Sequence, residues 1–334
     1  MNMTKTLRTG TPNPKAPTMT SDRLPADGRI AQLNAVSSRR FVDPETLPWG
    51  TMRPGAVLGR ELLSIDDLGL DLPDDVLDRL SREETAAILE TGIRFEAALT
   101  AGFALQIAET RNLTDPRVVY MFHEIGEESR HSRAFVRLIE ELAPRARNPF
   151  EHGIAGWVGH RVTRWIVKQP ALLTVFVLAG EEIPDLLQRI ASEHPDSDPL
   201  LAAVNRYHRQ EEARHLAFAR TMLPELWADA PAGEKWRVRQ FAPRMIGMLF
   251  DSLVHPGVYK SVGLPAWPTW RAARRSPGRI ALRHAGTRPI LDALLATGVL
   301  QAGRVPRGWQ ELCGVDRHGK VRPGDAPVPG LAEP

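Results

Sequence analysis

The sequence predicts an all-α fold with a four-helix bundle at its centre. Three observations carry that prediction. Apolar stripes of helical period recur along the chain, and no strand-like alternation persists. Capping residues and prolines divide the chain into helical segments. Two of those segments carry the same run, "EESRH" from Glu127 and "EEARH" from Glu211.

The elements follow in order. Residues 1 to about 45 read as a disordered tail and lead-in, rich in Pro, Thr and Lys. "SREE" from Ser81 reads as a capping box, with Glu84 reaching back to the cap, and opens a helix over about 82–111. "NLTDP" caps the next helix, over 116–143, with Pro116 at its first position. "FEHGIAGWVGHRVTRWIVKQ" is an amphipathic connector. A third bundle helix spans 170–193 and a fourth 198–222, with further helices near 231–253 and 287–300. "HPGVYKSVGLPAWPTW" is expected as loop, and 314–334 as a Pro/Gly tail. Residues 46–313 thus form a single helical domain.

Composition narrows the function. Of 334 residues, 43% are hydrophobic and 25% charged, enough for a sizeable core. The single cysteine, Cys313, excludes a disulfide framework, zinc–thiolate sites and iron–sulfur clusters. It fits a reducing cytoplasm, where the chain is expected. A net charge of +3 gives little support for nucleic-acid binding. No stretch approaches the roughly 18 apolar residues of a membrane helix. "PALLTVFVLAG" runs straight into acids, and the N-terminus has no signal-peptide core. Neither nucleic acid nor membrane is expected as a partner.

The stretch "YHRQEEARH" raises the chemical question. At about 100° per residue, Glu212 lies about 40° round from His208 and His215 about 20° back, so the three share one face. "EESRH" repeats the pattern, with Glu128 matching Glu212 and His131 matching His215. Two Glu-x-x-His helices are the arrangement of dinuclear carboxylate bundles, which take one further Glu from each of the other two helices. Glu96 is the acid in the stripe Leu89, Ile93, Leu99, Phe103, Ile107. A buried carboxylate there needs a cation or a proton. In the third helix, periodicity slightly favours Glu182 as the inward acid. Repeat spacing favours Glu181: 32 residues separate Glu96 from Glu128, and 31 separate Glu181 from Glu212. Both stay open on the residues alone.

Seven side chains would then enclose two metal ions: Glu96, Glu128, His131, either Glu181 or Glu182, His208, Glu212 and His215. Carboxylates neutralise the ions and imidazoles suit iron, although the set does not exclude manganese. Glu127 and Glu211 are placed to accept a hydrogen bond from a ligand histidine on the opposite helix, with Arg130 and Arg214 as their partners. Glu124 stands one turn before Glu128, where the second copy has His208. It either faces the metals or hydrogen-bonds near them. His123, His152, His160, His194, His255 and His284 have no motif around them and read as surface or packing histidines.

This ordered set resembles the p-aminobenzoate N-oxygenase family, the AurF-type di-iron oxygenases, over roughly residues 85–300. His208 is the distinguishing mark, because many ferritin-like di-iron proteins lack that third histidine. The resemblance implies a ferritin-like fold and a homodimer, with Glu181 rather than Glu182 in the seven-residue set. It also implies two iron ions, O2 as co-substrate and an electron donor such as a ferredoxin or reductase. The activity it implies is oxidation of an aryl amine to hydroxylamine, nitroso or nitro product through a peroxo-diferric species. Glu124 departs from the family pattern and leaves an altered coordination sphere open. Two other activities fit the same residues: oxidation of carbon by a di-iron oxygenase, and iron oxidation of the ferritin or rubrerythrin kind.

Overall fold

The computed structural model describes residues 25–40 and 42–331. Among these residues the fold is all-α, and the one β feature is an isolated bridge between Val315 and Val321. The tail expected over residues 1–45 lies outside the described residues up to residue 24. Within the rest of that range, Ala26–Ser37 form helix α1, which packs on the second and fourth bundle helices through Ile30 and Leu33.

The bundle consists of α2 (Asp74–Glu109), α3 (Pro116–Leu142), α5 (Pro170–Glu193) and α6 (Pro199–Asp229). The connector α4 (Gly153–Ile166) joins its two halves. Short loops make α2–α3 and α5–α6 two hairpins. The hairpins then meet through α2 against α5 and α3 against α6. Proline and aspartate set the helix starts as expected from their chemistry. Asp115 accepts from Arg117 N at 2.8 Å, and Asp198 accepts from Leu200 N at 2.9 Å. α3 stops where Ala143 turns left-handed ahead of Pro144.

Several expectations are corrected; the helix expected near 287–300 spans Pro277–Ala296, and the one expected near 231–253 is two, Ala232–Gln240 and Ala242–Ser252. α2 begins at Asp74, so Ser81 and Glu84 sit inside the helix and form no capping box. Ser81 Oγ instead accepts from Val57 N at 3.0 Å, and Glu84 accepts from Ser64 N at 3.0 Å and Ser64 Oγ at 2.6 Å. The polar run that resembles a helix start anchors the incoming 57–64 segment. α6 runs to Asp229, through Pro224, rather than ending at Met222. The segment expected as loop contains α9 (Pro256–Ser261) and α10 (Ala266–Ala273).

Around the bundle lie α7 (Ala232–Gln240), α8 (Ala242–Ser252), α11 (Pro277–Ala296) and α12 (Arg307–Cys313). α11, α7 and α8 all pack on α5, which is therefore buried on nearly every side. That explains why its sequence is apolar all round. Residues after α12, expected as a tail, fold back, and Asp325 accepts from His284 Nδ1 at 2.9 Å and pairs with Arg288.

One glycine fixes the α2–α5 approach. A Cβ at Gly180 would lie inside the ring of Phe95, and these two residues directly precede Glu181 and Glu96. Gly180→Ala is expected to destabilise the protein by about 1–3 kcal/mol through overpacking, read from urea midpoints. An unchanged midpoint would show that Phe95 swings away freely.

Candidate metal centre

The sequence places acids and imidazoles on the inward faces of all four bundle helices, and packing brings them together. Glu96 of α2, His131 of α3 and His208 of α6 form one group of potential donor atoms, mutually within 4.8 Å. Glu128 of α3, Glu181 of α5, and Glu212 and His215 of α6 form a second. All seven are buried. Six of them are residues that the helical pattern marked, and the seventh is Glu181, one of the two acids left open on α5.

Glu128 and Glu212 each face both groups. Glu128 Oε2 lies 3.5 Å from His131 Nδ1 and its Oε1 lies 3.0 Å from His215 Nδ1. Glu212 Oε1 lies 3.1 Å from His131 Nδ1, and its Oε2 lies 2.8 Å from His215 Nδ1. Several of these approaches are close without forming an aligned hydrogen bond. His131 Nδ1, both Glu128 oxygens and Glu212 Oε1 are buried with no hydrogen-bond partner. Donors that converge on a common cation show such proximity without alignment, so the residues present fit a dinuclear metal centre.

Each imidazole turns one nitrogen inward and the other to a fixed partner. His131 Nε2 donates to Glu211 at 2.9 Å and His215 Nε2 to Glu127 at 2.9 Å, each across the α3–α6 contact. Arg130 lies 3.2 Å from Glu211 and Arg214 lies 2.9 Å from Glu127. Burial alone would raise Glu127, yet the His215 hydrogen bond and Arg214 hold it down to about 2. Such partners fix the tautomer and the aim of a metal-binding imidazole. His208 differs. Its Nε2 faces Glu212 at 3.2 Å and Glu96 at 3.4 Å, while its Nδ1 donates to the neutral amide of Gln188 at 2.9 Å. Sequence reasoning missed Gln188, which lies two turns after Glu181 on the same helix. It also missed Ser132, whose hydroxyl donates to Glu96 at 2.5 Å. Neither residue is marked by a motif.

Glu182 points elsewhere and pairs with Arg220. Of the motif-free histidines, His194 contacts Glu61 at 2.6 Å, His255 is buried outside the centre, and His284 holds Asp325. None of them joins either donor group.

A cavity of about 110 Å³ lies beside one end of the centre. Ile88, Leu89, Leu187, Ala191 and Leu201 supply much of its apolar wall, and Gln188 also lines it. The amide that holds His208 thus forms part of the cavity wall.

A family model described as P-aminobenzoate N-oxygenase AurF matches residues 30–298. The chain belongs to this family. The match includes the whole bundle and all seven converging residues. The chain is also 26% identical over 172 residues to uncharacterized proteins of Mycobacterium bovis and of two Mycobacterium tuberculosis strains. Those alignments cover 51% of this chain and 50% of each relative, so the chain spans about half the length of the curated relatives it matches.

The electrostatics give a pH expectation. Burial opposes charge on His131, but the nearby carboxylates of Glu128, Glu211 and Glu212 hold its pKa well above the ordinary value. His215 is likewise raised against burial, chiefly by Glu212. Burial and the neighbouring Glu212 hold Glu181 well above the carboxylate range. Each of these groups therefore holds a proton more firmly than the free side chain does, and a metal ion competes with those protons. Ferrous affinity is expected to rise with pH, with protons released on loading. Calorimetry in buffers of different ionisation heat measures the release; a buffer-independent heat would contradict it.

Proposed function

We propose that this chain is a non-haem di-iron oxygenase that N-oxygenates an aryl amine. The observation that carries the reading is the pair of donor groups joined by Glu128 and Glu212, each of which faces both His131 and His215. In it, Glu96, His131 and His208 would hold one ion and Glu181 and His215 the other, with Glu128 and Glu212 placed to serve either. Four carboxylates balance the charge of two divalent ions. When bound, the ions supply the electrons that activate O2, chemistry that no protein side chain provides.

The chain's own residues do the rest. Glu127 and Glu211 keep the Nε2–H of His215 and His131 engaged, which presents Nδ1 to the centre. Phe135 packs on the His208 ring at 4.9 Å, and Leu99 and Phe103 close the same interior to water. The apolar cavity is of the size class that takes one benzene-like ring. Asn205 lies one turn before His208 and Leu89 two turns before Glu96, so a ring held there lies beside the centre. The wall sets this apolar face beside Glu61, Asp66, Asp67, Glu84 and Arg279, so a ring bearing one polar nitrogen suits it. A homodimer and an external electron donor, a ferredoxin or reductase, belong to the same reading. Ile154 and Trp157 on α4 are 83% and 62% exposed, an apolar face of the kind that oligomers cover. Among the described residues no helix is long and apolar enough to cross a membrane. We place the enzyme in the cytoplasm.

After anaerobic ferrous loading, the protein is expected to bind two iron ions per chain. On exposure to O2 with a panel of aryl amines, it should yield hydroxylamine, nitroso or nitro products by mass spectrometry. His208→Ala should weaken one site at least about tenfold and keep the helical spectrum. Products oxidised only at carbon, or iron oxidation with no organic product, would assign a different di-iron activity. Tight binding of manganese in preference to iron would change the cofactor.

Glu181→Ala should abolish the coupled di-iron signal, whereas Glu182→Ala should lose only the Arg220 pair and keep it. The opposite result would shift the α5 register by one residue.

A further inference from the structure

Glu124 is the buried acid on the inner face of α3 that the seven-residue set leaves out. It is fully buried, and both its carboxylate oxygens lack a hydrogen-bond partner. Among the described residues no lysine or arginine forms an ion pair with it. An acid in that state requires a cation or a proton.

The two hairpins say where the cation would come from. α2–α3 and α5–α6 repeat one another: Glu96 corresponds to Glu181, Glu128 to Glu212, His131 to His215, and Glu127 to Glu211. The packing keeps that correspondence. His131 donates to Glu211 and His215 donates to Glu127, at 2.9 Å in both cases. The exchange that carries Glu96 and His131 onto Glu181 and His215 carries His208 of α6 onto Glu124 of α3. Each stands one turn before its bridging glutamate and so shares its face. His208 is a member of the donor group at its own end. Glu124 stands outside the 4.8 Å group of Glu128, Glu181, Glu212 and His215, but the charged groups that act on it belong to that end: His215 first, then Glu128, Glu212 and Glu127. Burial leads in pushing the acid up to about 8, and His215 only partly offsets it.

We infer that Glu124 is an eighth metal donor, serving the ion at the Glu181–His215 end in the place that His208 fills at the other end. The inference rests on the di-metal reading above. It makes the two ends chemically unlike. One takes two imidazoles and one carboxylate of its own, the other one imidazole and two carboxylates. Hard carboxylate oxygen and added negative charge favour the more highly charged ion. The Glu181 end therefore holds ferric iron more firmly than the Glu96 end.

The test compares wild type with Glu124→Gln and Glu124→His. The readouts are metal content, ferrous affinity against a chromophoric chelator, Mössbauer spectra with enriched iron, and the melting temperature with and without metal. Wild type should bind two ions with two distinct quadrupole doublets. Glu124→Gln should keep one ion at wild-type affinity and bind the other at least about tenfold more weakly. Its metal-free form should melt higher than metal-free wild type, because an unpartnered buried acid is gone, and its gain on metal loading should shrink. Glu124→His should recover the second ion and bring the two doublets closer together. If wild type binds two ions and Glu124→Gln binds both with unchanged affinity and spectrum, the eighth donor is overturned and the seven-residue centre stands. If wild type fails to bind two ions, the di-metal reading falls and the inference with it.

Discussion

The constraint on which the rest of this structure depends is negative charge buried in the middle of a helical bundle. Glu96, Glu128, Glu181 and Glu212 are each almost wholly inaccessible, and the last three converge within 4.8 Å of one another. Desolvation and mutual repulsion oppose every one of them. The protein answers in layers. Imidazoles stand against the inner acids, Glu127 and Glu211 stand behind two of the imidazoles, and Arg130 and Arg214 stand against those outer acids. Signs alternate outward from the centre to the helix surface. Without metal, the same crowding pushes the proton affinity of His131, His215 and Glu181 upward.

That charge arrangement demands rigid backbone, and the packing around it supplies one. α5 carries Glu181 and is enclosed by α2, α6, α7, α8 and α11. Gly180 lets the Phe95 ring lie against the α5 backbone beside both Glu181 and Glu96. Glu83 and Glu84, two further buried acids of α2, are satisfied by backbone donors: Arg145 and Ala146 for Glu83, and Ser64 for Glu84. They tie the loop after α3 and the segment before α2 to the bundle. The same residue type thus has two structural roles, and only its partners separate them.

His208 introduces asymmetry. His131 and His215 donate to carboxylates, which raise the basicity of an imidazole, whereas His208 donates to the neutral Gln188 amide. Gln188 also lines the apolar cavity, so the one imidazole with a neutral partner is the one held by a cavity wall. Membership of the p-aminobenzoate N-oxygenase family accounts for the bundle and the order of its acids. The asymmetry between the ends is set by residues outside the Glu-x-x-His repeats.

The sequence by itself determined the fold class, the starts of α3 and α5 at Pro116 and Pro170, and six of the converging residues, all but the choice between Glu181 and Glu182. It could do so because helical periodicity is local: residues three, four and seven apart share a face whatever surrounds them. The outer pairs Glu127–His215 and Glu211–His131 were legible for the same reason, once the repeat was aligned. Tertiary structure alone decided the rest. Glu181 and Glu182 lie about 100° apart on a helix that is apolar all round, so only the packing of its neighbours chose which faces the centre and which meets Arg220. Ser81 and Glu84 mimic a helix start because a capping box and a loop anchor use the same residue types. Gln188 and Ser132 have no local signature, since a hydrogen bond between helices is a relation between distant segments and neither segment records it.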